Sequence, residues 1–217
     1  MSYRDLQEYL ARLDDSGRLH RVKQPVDPTW EVAAITRQVF DRYSWAERPA
    51  LRFDHVGESE YPLVVGVIGG SPSIYALALS TTEDQIPSLW EKAQREPLDP
   101  QTVESGLCKE LVSRGSDVDV CTLPHPVWTP GEDPGPYITA PLIVTKDPED
   151  GSRNVGTYRL QVKGPRHLGL YIGAAQHAAK HVRKYEARGQ DMPIAITIGA
   201  DPAVVLASVT KFAYGTD

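Results

Sequence analysis

The stretch NVGTYRLQVKG, residues 154–164, alternates as a β-strand requires: Val155, Thr157, Arg159 and Gln161 fall on one face, and Gly156, Tyr158, Leu160 and Val162 on the other. Two runs of similar character flank it. YITAPLIVTKD (137–147) precedes it across the turn DPEDGS (147–152), and RHLGLYIG (166–173) follows. Each run is predicted to be one strand. A helix is expected over about residues 175–187, ending near Gly189. The continuous apolar run PIAITIG (193–199) then predicts a buried strand, and DPAVVLASV (201–209) a helix capped by Asp201.

Upstream, the pattern mixes helix and strand. In YRDLQEYLARL (3–13), Leu6, Tyr9, Leu10 and Leu13 share a helical face, with Ser2 as the expected N-cap and Gly17 as the stop. RLHRVKQPV (18–26) reads as a short strand closed by Pro25. A second helix is predicted from Asp27-Pro28, with Pro28 in its first turn and Trp30, Ala33, Ala34 and Val39 near one face. ALRFDHV (50–56) and YPLVVGVIG (61–69) are strand-like, the second typical of a buried strand. Prolines at 97, 100, 124, 126, 130, 134 and 136 punctuate a long connection. The expected organisation is an N-terminal α/β domain over residues 1–115 and a strand-rich domain over 116–217, an α/β (α+β) chain.

Composition narrows the function classes. The chain is 41% hydrophobic and 24% charged, the balance of a soluble globular protein. Mean hydropathy is -0.36, and no apolar run approaches the roughly 18 residues that span a bilayer, so no membrane role is expected. The charged N-terminus lacks a signal-peptide core. A net charge of -6 without a long basic stripe speaks against nucleic acid as a partner. The short cluster Lys180, His181, Arg183, Lys184 reads as a solvated helix face. Cys108 and Cys121 are too few and too far apart for a zinc pattern or a disulfide scaffold, and a reducing cytoplasm is the expected compartment.

Chemistry-bearing patterns are few. The glycine-rich GVIGGSPS (66–73) suits either a backbone approach to an anion or a tight strand-to-helix turn. His177 and His181 stand four apart on the expected helix, the spacing of a metal-binding pair and equally of two ordinary helical histidines. His177, in the first turn, is the better placed. Arg159 suits bidentate capture of a carboxylate or a plain surface strand position, and a bulge would be needed to bring it round to Asn154. With Gln176, these residues outline an anion-and-metal pocket.

NVGTYRLQV, LGLY, the QH that opens a helix, and IGADPAVVLAS together resemble the central segment of the UbiD family of reversible decarboxylases. LPHPVWTPGEDPGPYITAP and the opening DLQEYLARLDDSGRLHRVKQPVDPTWEVAAITRQV resemble the family's preceding segments, in order. The resemblance implies much of a split β-barrel flavin-binding domain after the N-terminal domain, with the C-terminal domain absent. It also implies prenylated FMN, a divalent metal (usually manganese, Mn2+) and potassium (K+) as cofactors. Asn154 and His177 match two ligands of the divalent ion, and Arg159 matches the arginine that contacts the substrate carboxylate. Gln176, Gly156 and Thr157 match positions lining the cofactor. Ala207, Ser208 and Thr210 match the potassium loop, with the carbonyl of Val155 opposite. Thr157, Ile172 and Gly173 would border the substrate pocket. His181 is not a ligand position in the family, and Ser71 to Ser73 stand where many relatives carry an arginine.

The implied reaction removes carbon dioxide from an aromatic, heteroaromatic or α,β-unsaturated acid, a small-molecule carboxylic acid. The family's third metal ligand, a glutamate, and its proton donor match nothing up to Asp217. A missing C-terminal half or a second subunit is therefore expected to complete the site, a flavin prenyltransferase to supply the cofactor, and the complete protein to be a homo-oligomer. The rival expectation is a non-catalytic cofactor-binding or assembly subunit that keeps the fold.

Overall fold

The computed structural model describes residues 3–98 and 100–215. Helix α1 (Leu6–Asp15) is capped by Asp5, whose side chain accepts the Glu8 N–H at 2.9 Å. Ser2, the cap expected from sequence, lies outside the described residues. Tyr9, Leu10 and Leu13 are buried as the spacing predicts. Gly17, at φ +68°, turns the chain into strand β1 (Leu19–Val22). Helix α2 (Glu31–Arg42) starts later than expected. Asp27 holds the Thr29 N–H at 2.6 Å in a turn before it, which leaves Pro28 outside the helix and Trp30 half exposed. Val32 takes the buried position instead.

Strand β2 (Ala50–Phe53) is central, parallel to β1 and antiparallel to β3 (Leu63–Val65). Its alternation sorts the core into two. Ala50 joins Tyr9, Leu13 and Ile74, so α1 and α3 (Pro72–Ala78) cover one face. Leu51 and Phe53 join Val26 and Val32 beneath α2. β3 is shorter and less buried than the run 61–69 predicts. Gly66 takes φ +70° and accepts the Gly70 N–H at 3.0 Å, turning the strand into α3. The glycine-rich stretch is therefore a strand-to-helix turn. Helix α4 (Ile86–Arg95) follows, and then an irregular connection. The end of that connection stitches the halves together. Val127 N–H donates to the Pro28 carbonyl at 2.9 Å, and Trp128 packs against the α2 cluster while its indole donates to the Tyr137 carbonyl at 3.2 Å.

The second half is built on one long antiparallel ribbon. Strands β4 (Tyr137–Ile138) and β5 (Leu142–Lys146) run against β7 (Leu160–Gly164) and β6 (Arg153–Thr157) respectively. Between the pairs Ile138–Leu160 and Leu142–Thr157, residues 139–141 face only Tyr158 and Arg159. The extra residue makes a bulge, and Pro141 within it has no N–H to give a ladder. Both runs expected as single strands are split here, because the ribbon passes from the sheet β4-β7-β8 (β8, His167–Leu170) to the sheet β6-β5-β9 (β9, Ala195–Thr197).

Helix α5 (His177–Ala187) lies against β5 and β6 and ends before Gly189 at φ +62°. Among the described residues, strand β9 (Ala195–Thr197) pairs with β5 alone. Expected to be buried, it is an exposed edge, with Ile196 at 38% and Ile198 at 53% exposure. Apolar composition speaks to side-chain type; burial needs a second layer, and none covers this edge among the described residues. Helix α6 (Pro202–Ser208) is capped by Asp201 as expected. The described strands do not close a barrel.

Asp201 carries two loads: one carboxylate oxygen accepts the Ala203 N–H at 2.8 Å, the other the Tyr3 N–H at 2.7 Å. Asp201→Ala is expected to lower the urea midpoint by an amount equivalent to about 1–2 kcal/mol, and Asp201→Asn, which keeps a cap acceptor, by less.

Candidate functional site

A cavity of about 680 Å³ opens where β6, the N-terminus of α5 and the end of α6 meet. Asn154, Val155, Gly156 and Thr157 form one wall, Gln176 and His177 a second, and Ala207, Ser208 and Thr210 a third. Most residues singled out from sequence thus share one volume. Arg159, Ile172 and Gly173 are not in its lining.

Each wall has a local cause. Asn154 pairs with Thr145 across the ribbon and points inward, 4% exposed. Its side-chain Nδ2 is buried without a hydrogen-bond partner, an arrangement that proteins rarely leave. Gly156 is required by its neighbour, since a Cβ there would meet the Tyr158 ring at 2.5 Å. Thr157 Oγ1 lies 2.7 Å from Ser208 Oγ. Ser208 already donates its proton to the Val205 carbonyl at 2.7 Å, so Thr157 donates to Ser208 and ties β6 to α6. Gln176 occupies the N-cap position of α5, but its Oε1 turns back to accept the Gly173 N–H at 2.5 Å. His177 is half-buried in the first turn, and its ring meets Tyr214 edge-on at 5.4 Å.

The bulge foreseen as a means of joining Arg159 to Asn154 exists, yet Arg159 remains exposed, its guanidinium 5.4 Å from the centre of the Tyr137 ring. Ile172 packs on the Ile143, Tyr158, Leu160 and Ala178 core.

Behind the cavity lies a polar cluster that the sequence did not announce. Ile143 and Thr145 on β5, and Asp147 just beyond it, alternate inward, all fully buried. His181, read as part of a solvated face with Lys180, Arg183 and Lys184, is 1% exposed and bonded through Nδ1 to Thr145 Oγ1 at 2.8 Å. Helical spacing carries Lys180 and Arg183 outward and turns His181 in, with Lys184, three residues on, part-buried on the same face. The Asp147 carboxylate accepts from Lys184 Nζ at 2.6 Å, from the Glu149 N–H at 2.9 Å and from the Tyr214 hydroxyl. Burial pushes its carboxyl up, but those hydrogen bonds outweigh burial and hold it well below the usual carboxylate range. Lys184 is raised by the same bond to Asp147 and by Glu149 at 2.7 Å. Only the alternation of LIVTKD hinted at this cluster.

Among the described residues no group of three His, Cys, Asp or Glu could hold a metal. The ligand atoms at the cavity, the Asn154 amide oxygen and the His177 imidazole, fit part of an oxygen-and-nitrogen ligand set, while the orphaned Asn154 Nδ2, an N–H donor, suits an anionic acceptor such as a phosphate oxygen.

The depressed carboxyl of Asp147 sets a direction. Its stabilisation is present above an unfolded value of about 4 and is lost as pH falls through the lower folded value. The urea midpoint should therefore fall as pH is lowered below about 4. In Asp147→Asn that acid limb should flatten, as denaturation followed across this range would show.

Comparison with known proteins places the chain. A family model of the 3-octaprenyl-4-hydroxybenzoate carboxy-lyase Rift-related domain matches residues 101–217, and one of the N-terminal domain of the same carboxy-lyase matches residues 10–93. A phenolic acid decarboxylase of Streptomyces sp. (strain D7) is 32% identical over 223 residues, covering 99% of this chain and 46% of that protein. Among solved structures, an evolved dimeric form of the UbiD-class enzyme HmfF from Pelotomaculum thermopropionicum, in complex with prFMN, superposes with a TM-score of 0.89. Its identity is 34%, over 99% of this chain and 49% of that one. The vanillic acid decarboxylase of Sedimentibacter hydroxybenzoicus in its closed form gives a TM-score of 0.90 and 34% identity, over 99% and 47%. The chain thus spans about half the length of these relatives.

Proposed function

The chain belongs to the UbiD family, and from that membership we propose that it supplies the metal-and-flavin-phosphate half of a reversible, non-oxidative decarboxylase. The substrate class is an aromatic, heteroaromatic or α,β-unsaturated carboxylic acid. The observation that carries the reading is the convergence of Asn154, His177, Val155, Ala207, Ser208 and Thr210 on one cavity. Its relatives include an enzyme with prFMN and two aromatic-acid decarboxylases.

In this reading Asn154 and His177 would hold Mn2+, whose charge would neutralise the phosphate of prenylated FMN. Gly156, Thr157 and Gln176 line the flavin. Oxygens of Val155, Ala207, Ser208 and Thr210 hold K+. Loss of carbon dioxide leaves an electron pair on carbon, and the bound cofactor supplies the sink that no side chain offers. Thr157, Ile172 and Gly173 border the substrate. Arg159, always charged, orients the carboxylate once it leaves Tyr137. Among the described residues no Asp or Glu lines the cavity with Asn154 and His177, and in this reading the remaining ligand and the proton donor come from outside this chain segment. The division near residue 115 belongs to the same reading.

Two variants test it in the full-length protein, co-expressed with a flavin prenyltransferase. His177→Ala should cut bound manganese and flavin at least about tenfold; parental content of both would reject the ligand assignment. Arg159→Ala should keep manganese and flavin yet lose decarboxylation by roughly a hundredfold or more. Unchanged turnover would remove Arg159 from the site.

A further inference from the structure

We propose that Tyr214, fastened by the buried carboxylate of Asp147, is a positioning residue that fixes the imidazole of His177 at the cavity wall. The inference rests on the reading of His177 as a ligand and deepens it.

Tyr214 follows the Ala207–Phe212 wall of the cavity. Its ring is restrained at several points. The hydroxyl donates to Asp147, Lys180 Nζ stands 4.1 Å from the ring centroid, and His181 lies 5.8 Å away at 64°. Against a ring so held, the His177 imidazole sits at 5.4 Å and 88°, the edge-to-face geometry in which a ring hydrogen meets a π-face. A histidine at the first position of a helix has its backbone fixed, but rotation about its last torsion is soft. Binding a cation through one nitrogen requires that rotation to be settled beforehand, and groups that orient a ligating imidazole usually affect metal affinity.

Asp147 suits the role of anchor. It stands just beyond β5, is fully buried, and is itself held by Lys184 at 2.6 Å and by the Glu149 N–H at 2.9 Å. One carboxylate therefore joins the ribbon, α5 and the segment after α6. A purely structural tyrosine would make the same contacts to Asp147 and Lys180, so stability alone does not separate the roles. Metal affinity does.

The test uses full-length protein reconstituted with FMN and titrated with Mn2+, the free ion being followed by electron paramagnetic resonance. Tyr214→Phe removes only the anchor to Asp147, Tyr214→Leu removes the ring, and His177→Ala is the reference. The expected result is a Mn2+ dissociation constant raised about tenfold in Tyr214→Leu and severalfold in Tyr214→Phe, with an altered spectrum for the bound ion. The far-ultraviolet circular dichroism should remain parental. Affinity within twofold of the parent in both tyrosine variants, alongside loss in His177→Ala, would overturn the positioning role and leave the ligand reading intact. Parental affinity in His177→Ala would overturn both. If Tyr214→Leu fails to fold, Tyr214→Phe decides by the same criterion.

Discussion

Between the pairs Ile138–Leu160 and Leu142–Thr157, one strand of the ribbon spends three residues where its partner spends two. Because the extra residue falls on the 139–141 side, the inward alternation of the other strand runs on unbroken. Asn154, Gly156, Tyr158, Leu160 and Val162 are all buried across the bend. The bend lets one strand serve two sheets. Tyr158 folds back over Gly156 into the core with Ile143 and Ala178, while Asn154 to Thr157 remain as an edge against which α6 can lie. The same bend leaves Arg159 outside the ladder, stacked on Tyr137. Cavity wall, core and exposed arginine all follow from one unmatched residue.

That bulge explains what could be read in advance and what could not. Period two over residues 154–162 sorted the faces correctly, since alternation is a property of one strand. Where the ladder changes partner is a property of two strands, so the splitting of both runs was invisible. α6 starts where its cap Asp201 places it, and α5 ends where Gly189 places it, whereas α1 is capped by Asp5 and not by the expected Ser2. α2 was displaced by the Asp27 turn, a local hydrogen-bond competition that apolar spacing does not register. PIAITIG was misjudged because its composition says nothing about which layer covers it.

At the site, the grouping of Asn154, His177 and Ser208 in one cavity was legible mainly through resemblance, because residues 154 and 208 meet only once α6 has packed on β6. Asp147 was missed for a plainer reason. DPEDGS has the composition of a solvated turn, and its backbone does turn there, with the Gly151 N–H returning to the Asp147 carbonyl at 3.0 Å. Nothing in that composition shows that the first carboxylate of the turn is buried. Its partners Lys184 and Tyr214 are 37 and 67 residues away in the chain.

The buried polar groups also set the axial position of α5. Thr145 and Asp147 are two apart on the strand, and their helical partners His181 and Lys184 are three apart. Two residues of strand advance about 6.6 Å and three of helix about 4.5 Å, close enough for long side chains to bridge the difference. Sliding α5 by one residue would rotate its faces by about 100° and strand the buried imidazole and carboxylate at once. An apolar interface would penalise that slip far less, since neighbouring alanines and valines interchange readily. Counting back one turn, roughly 6 Å, from His181 leads to His177. Its place at the cavity wall is thus dictated from below, by residues that do not line the cavity at all.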